Sequence, residues 1–449
     1  MAIGQTPSAT PILDETRTAR QRRAWLVVAA LFAFMALSYA DKVVVGLAGV
    51  DLLRDLHMDA AQFGVVQSGF FWLFALGAIL TGLLVGRIPA RWLLGGVALL
   101  WAASLLPMVW STSFTVLLLT RMLLGFAEGP TAALAFGVTH SWFPAERRAV
   151  PTALVSAGVT AGPLLAGPVI TAVIGTWSWH AAFAMMAAAG LVWVVLWLLI
   201  GREGPEPAGH PKPLTAAALP ARVPYARLLT SRTVIGIAVL FFATYCSAAI
   251  NVSWLPLTLR QGLGYDAATA GWLVTLPYLA GALLMVVFGS VSQALTKRGR
   301  SNRVARGLLS CGLVGAGGLA TVAWPTLTPG AAQIAMLTLG SGLVAGAQGA
   351  AWSLVSDVVP ARQRSATIGV LVAFYSMGGV LAPLVLGDLV NGASTPLAGY
   401  RLGYTVLGIV LATGAALAGW LINPERDTAR FAAHAREAAP LTGTAAPLS

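Results

Sequence analysis

The sequence predicts an all-α membrane protein: twelve transmembrane helices in two six-helix halves. Three observations lead there. Of the 449 residues, 57% are hydrophobic and only 10% charged, against about 25% charged in soluble domains. Mean hydropathy is +0.78. Apolar runs recur along the chain, each near the ~20 residues needed to cross a ~30 Å hydrocarbon core. The basic residues, finally, sit in every second connecting segment.

In chain order, a lead with Arg17, Arg20, Arg22 and Arg23 precedes the first run, 24–49. Run 62–85 ends in Arg87 and Arg91. Runs 92–110 and 115–140 end in Arg147 and Arg148. Runs 150–174 and 180–201 end in Arg202, Lys212, Arg222, Arg227 and Arg232. The second half repeats the rhythm. Runs 233–259 and 268–294 precede Lys297, Arg298, Arg300, Arg303 and Arg306; runs 305–325 and 331–356 precede Arg362 and Arg364; runs 365–390 and 400–422 precede Arg426, Arg430 and Arg436. The opposite loops hold only Arg54, Arg260 and Arg401, leaving Lys42 and Arg121 inside runs. Positive charge on one side places both termini in the cytoplasm of a multi-pass protein of the inner (plasma) membrane. The net charge of +12 is therefore topological, and a nucleic-acid surface is excluded.

The first run is too long for a signal peptide and lacks a small-residue cleavage site. Cys246 and Cys311 fall in or near runs and predict no disulfide. His57, His140, His180, His210 and His434 are scattered, so neither metal nor cofactor is expected. Five organisational units follow: a cytoplasmic tail 1–23, a first half 24–201, a linker 202–232, a second half 233–422 and a tail 423–449. The linker is rich in proline and mixed charge, which argues for little fold of its own. The halves echo each other. "GLLVGRIPAR" (82–91) matches "GSVSQALTKR" (289–298) in position, and "FPAERRA" (143–149) matches "VPARQRSA" (359–366). Repeated halves place a substrate site near the midplane between them.

Four ionisable residues lie deep inside runs: Asp41, Lys42, Arg121 and Glu128. Each costs at least ~2.5 kcal/mol at that depth and normally faces a polar cavity. Counting helical rise, Asp41 and Arg121 share a level ~9–12 Å below the outer surface, where they could pair; Glu128 lies ~10 Å deeper on the same face as Arg121. No in-span base is evident at the depth of Glu128. Two acids balance two bases. A carboxyl in a low-dielectric cavity can take up a proton. If both acids do, Lys42 and Arg121 remain as net positive charge that attracts an anion, Arg through a two-bonded fork and Lys as a point charge. Protons and a small organic anion thus become linked partners. The competing reading is a pair of ion bridges holding two helices together. Tyr39 either donates a hydrogen bond to substrate or packs as an ordinary aromatic.

The second half has no ionisable residue at the midplane; Asp388 lies near an outer end. Its polar and aromatic candidates are Tyr245, Asn251, Trp254, Tyr278, Gln348, Trp352, Tyr375 and Ser376. Few amides among them disfavour a heavily hydroxylated sugar acid against a smaller or aromatic carboxylate. "GFAEG" (125–129) spaces glycines for close helix approach. No nucleophile–base set supports a membrane-embedded enzyme, and the tail after 422 is too short for the added domain of a sensor.

The chain resembles the major facilitator superfamily over about residues 24 to 422. "YADK" (39–42), "RMLLGFAEGP" (121–130) and "WFPAERRA" (142–149) are similar to the anion:cation symporters within it, which include sugar-acid and other carboxylate transporters. The resemblance implies proton coupling at Asp41 and Glu128, and anion binding at Lys42 and Arg121, with Lys42 where those relatives often have Arg. It implies a gating loop at Arg87 and Arg91, although Gly86 and Gln293 replace the usual acid. "GVTAGPLLAGP" (158–168) loosely resembles a signature of drug–proton antiporters, which keeps export of a drug or metabolite as the alternative. The expected protein is a proton-coupled organic-anion symporter, monomeric, in a lipid bilayer.

Overall fold

The computed structural model describes residues 11–205, 223–360 and 363–437. Tail residues 1–10 and 438–449, linker residues 206–222 and the loop pair 361–362 lie outside it. Among the described residues, twelve helices are long and apolar enough to cross a membrane. They are α1 (Arg20–Leu47), α2 (Ala60–Leu84), α3 (Ala90–Val109), α4 (Phe114–Trp142), α5 (Ala149–Thr176), α6 (Trp179–Ile200), α7 (Arg232–Ser253), α8 (Ala267–Lys297), α9 (Arg303–Thr326), α10 (Ala331–Val358), α11 (Ala366–Asn391) and α12 (Pro396–Leu421). A further helix, α13 (Pro424–Glu437), follows. An even number of crossings puts both ends of the chain on one side, the terminal end; the other is the distal end.

Local chemistry starts these helices. Asp59 and Gln62 form a reciprocal capping box at α2, and Ser178, Ser231, Asp266 and Thr395 each accept from a first-turn amide of α6, α7, α8 and α12. Such caps satisfy donors a helix start leaves orphaned. The halves repeat one device. Glu203, just past α6, accepts from the Ala90 amide at the start of α3. Glu425, just past α12, accepts from the Arg303 amide at the start of α9, 3.1 Å.

Small residues set the helix spacing. A Cβ at Gly125 or Gly129 would collide with the carbonyls of Phe70 and Phe74, so α4 lies directly on α2. Gly158 and Gly162 hold α5 against α1 in the same way, and Gly167 meets Gly271 of α8 in the other half. The glycines of 158–168 thus serve close packing.

The halves meet at the distal end. Gly46 abuts the Val252 carbonyl, Gly64 that of Pro383, and Gly387 that of Ala60. Phe63 stands edge-on to Trp254, centroids 5.0 Å apart. Gln67 Nε2 donates to the Ser253 carbonyl at 3.5 Å, and Arg260 Nη1 lies 3.5 Å from Asp51 Oδ2. A cavity of about 130 Å³ beside that ion pair is lined by Leu47, Thr171 and Pro256 among others.

One expectation needs correction. The described end of the linker is folded: Tyr225–Leu229 is a helix, Val223 and Leu228 are buried, and Gln363 clamps both polar groups of Val223, accepting at 3.1 Å and donating at 2.6 Å.

Candidate functional site

Asp41, Arg121 and Glu128 are 1%, 3% and 4% exposed. They lie on α1 and α4, which face each other beside α2. Lys42 Nζ sits 2.9 Å from Glu128 Oε2. This corrects the sequence-based pairing of Asp41 with Arg121 and the expectation that Glu128 has no base at its depth. Helical rise locates the backbone and not the side-chain tip. A lysine stem adds roughly 6 Å of reach, enough to carry the ammonium down one turn.

Asp41 and Arg121 face each other within electrostatic range without closing an ion pair. Arg121 Nε and Nη1 and Asp41 Oδ2 have no hydrogen-bond partner. Arg121 Nη2 donates a long bond to Gln67 Oε1, 3.4 Å, and its guanidinium carbon lies 4.9 Å from the Phe70 ring centre. Lys42 Nζ lies 3.7 Å from the centre of the Tyr39 ring and 5.7 Å from that of Phe70. Both cations therefore rest on aromatic faces, which partly replaces their lost hydration. The Trp101 indole of α3 lies beside the Asp41 carboxyl. A buried guanidinium with two orphaned donor atoms is costly unless a ligand engages it.

Across from this cluster the second half presents rings. Tyr245 is within electrostatic reach of Tyr39 and Glu128, and Tyr278 and Tyr375 are within reach of Tyr39. The Tyr245 and Tyr375 centroids are 4.6 Å apart, and Phe71 of α2 meets Tyr245 edge-on at 5.7 Å. Behind them, Phe241 and Trp352 lie 4.4 Å apart.

Seven of the sequence-predicted residues thus come together: Tyr39, Asp41, Lys42, Arg121, Glu128, Tyr245 and Tyr375, with Tyr278 at the edge. Others do not join them freely. Asn251 donates to Ser341 Oγ at 3.2 Å, tying α7 to α10. Ser376 Oγ donates to its own helix at Val372, 2.7 Å. Trp254 is wholly buried between Phe63 and Tyr400 in the distal seal. Gln348 is half-buried. Of the expected gating pair, Arg87 is exposed, while Arg91 Nη2 donates to the Leu198 carbonyl at 2.5 Å, joining α3 to α6 inside one half. Gly86 has φ +89°, a left-handed turn that suits glycine. Sequence reading missed Gln67, Phe70, Phe71 and Trp101. Gln67 had a signal, a lone amide deep in an apolar run; the aromatics had none among many.

Among the described residues no group of His, Cys, Asp and Glu could hold a metal ion. Paired helical halves around a buried charge cluster are the plan of a membrane transporter. The chain belongs to the Major Facilitator Superfamily, matching that family over residues 26–383 and 237–447. It is 27% identical over 409 residues to the probable galactarate/D-glucarate transporter GudP of Bacillus subtilis (strain 168), covering 83% of this chain and 86% of that one. It is 26% identical over 424 residues to the probable sulfoacetate transporter SauU of Cupriavidus necator, covering 90% and 94%. In fold it is similar to the crystal structure of a bacterial homolog of the human lysosomal transporter Spinster, with a TM-score of 0.75 at 18% identity, covering 90% and 97%.

Proposed function

We propose that this protein is a proton-coupled symporter carrying an organic anion, a sugar acid or another carboxylate, into the cytoplasm by alternating access. The observation that carries the reading is the contact of Lys42 with Glu128 at 2.9 Å inside a buried cluster. An acid and an arriving anion compete for one ammonium. A proton on Glu128 removes its hold, and Lys42 turns to the anion, with the free donors of Arg121 completing the grip. When the proton leaves, Glu128 reclaims Lys42 and the anion is expelled. Coupling is then a matter of charge conservation in a low-dielectric cavity, where an unpaired charge is expensive. Asp41, facing Arg121 from α1, is the second proton acceptor and governs Arg121 in the same way.

Residues 24–201 and 233–422 are the bodies that rock about this site. The arginine-rich terminal end faces the cytoplasm of an inner membrane, and one chain is the working unit. The distal contacts, Asp51 with Arg260 and Gln67 with Ser253, open when the site faces outward. Relatives named for sugar acids and for sulfoacetate support an anionic cargo.

The test is uptake of radiolabelled carboxylates into proteoliposomes with an alkaline interior. Concentrative uptake that collapses with an ionophore is expected. Proton-driven movement in the opposite sense would establish the exporter instead.

A further inference from the structure

We infer that the transported anion is amphipathic: a carboxylate at one end of a flat, apolar or aromatic body. This rests on the anion-symport reading and names the cargo of the same site. The two walls of the site differ in kind. The first-half wall carries both cations, Lys42 and Arg121, beside two acids. In the second-half wall, α7 to α12 bring no Lys or Arg to mid-depth among the described residues. A diacid with charge at each end of a chain would leave one carboxylate against rings.

What faces the charges from the second half is a surface of rings, continued across the halves by Phe71 of α2. Tyr245 and Tyr375 are 4.6 Å apart, and Phe71 lies edge-on to Tyr245 at 5.7 Å. Tyr375 also meets Trp352 at 6.3 Å. The Tyr245–Tyr375 pair is tilted at 51° and the other two contacts are edge-on; edge-on contacts at such separations are favourable for aromatic groups, and a planar ligand extends them. Polyol recognition asks for something else. Each buried hydroxyl needs a partner, and unmet ones are penalised heavily. The amide of Asn251 is held by Ser341, the hydroxyl of Ser376 by Val372, and that of Thr244 by Phe241 at 3.0 Å. What remains are phenolic hydroxyls at ring edges, among them the buried, unpaired one of Tyr278, and Gln348. That set suits one or two polar substituents on a ring and not a chain of hydroxyls.

The experiment is calorimetric titration of the purified full-length protein at mildly acidic pH with two series. One is phenylacetate, 3-phenylpropionate and 2-naphthoate; the other is D-gluconate and D-glucarate. The expected result is binding of at least one aryl carboxylate about tenfold or more tighter than either sugar acid. Tyr375→Ala and Tyr245→Ala should erase that preference while Tyr375→Phe and Tyr245→Phe keep most of it; thermal melting confirms that each variant is folded. Tighter binding of D-gluconate or D-glucarate would overturn the inference and leave the anion reading standing. No binding by either series to folded protein would overturn both.

Discussion

At mid-depth the two halves of one architecture have diverged. Their frames match: each ends in an acid, Glu203 or Glu425, that accepts from the first amide of the third helix of its half. Their interiors do not. The first half buries Asp41, Arg121 and Glu128 with Lys42 partly buried against Glu128, and the second presents tyrosines and a tryptophan. On the proposed reading, proton and charge chemistry belongs to one side of the pathway, and recognition of the cargo's body to the other. A carrier so divided can change cargo by altering rings without disturbing coupling.

The largest effect expected breaks the charged side. Glu128→Gln should reduce gradient-driven uptake to the level of protein-free vesicles while exchange of labelled for unlabelled anion persists, since Lys42 is then permanently released. Unchanged concentrative uptake would remove Glu128 from coupling. Next, Lys42→Ala should weaken anion binding by roughly 30-fold or more, the scale of losing one partner of a buried charge pair, with little change in the yield of folded protein. Equal loss of both would make the Lys42–Glu128 contact a structural bridge. Lys42→Arg sharpens the comparison, because a fork in place of a point charge should favour carboxylates further.

A smaller effect belongs to the distal seal. Asp51→Asn removes a partner of Arg260 across the halves. Partly exposed pairs of this kind contribute up to about 1 kcal/mol, so the population open at the distal end should rise by no more than about fivefold. Spin labels at Thr112 and Thr328 would report it as a longer distance. The smallest effect lies outside the membrane. Hydrogen bonds from Arg54, 2.7 Å, and Trp179, 2.9 Å, hold the Asp55 carboxyl below the usual carboxylate range. Its contribution to stability is full above the unfolded-state value and is lost as pH falls through the folded-state value. Asp55→Asn should flatten that acid-side decline in melting temperature by about 1 °C and leave transport intact.

Much of this division was legible in the sequence, because hydropathy fixes spans and the cost of burying charge makes Asp41, Lys42, Arg121 and Glu128 conspicuous. The span ends agree with the apolar runs to within a few residues at most boundaries, the outer ends of α7 and α12 among the exceptions. Partners were less legible. Lys42 reaches Glu128 because its stem is long and flexible, which a count of helical rise does not capture. Asn251 and Ser376 looked available until Ser341 and the Val372 carbonyl were found to hold them. Phe70 and Trp101 are two rings among many in the sequence, and only the packing of α2 and α3 against α1 and α4 gives them their place beside the charges.

The exchange of Lys42 between Glu128 and the anion is most directly tested by infrared difference spectroscopy of the purified protein on adding a bound carboxylate. A protonated-carboxyl band should appear with the anion, lose its Glu128 component in Glu128→Gln while that of Asp41 remains, and shift in deuterium oxide. Anion binding with every membrane-embedded carboxyl remaining ionised would contradict the account.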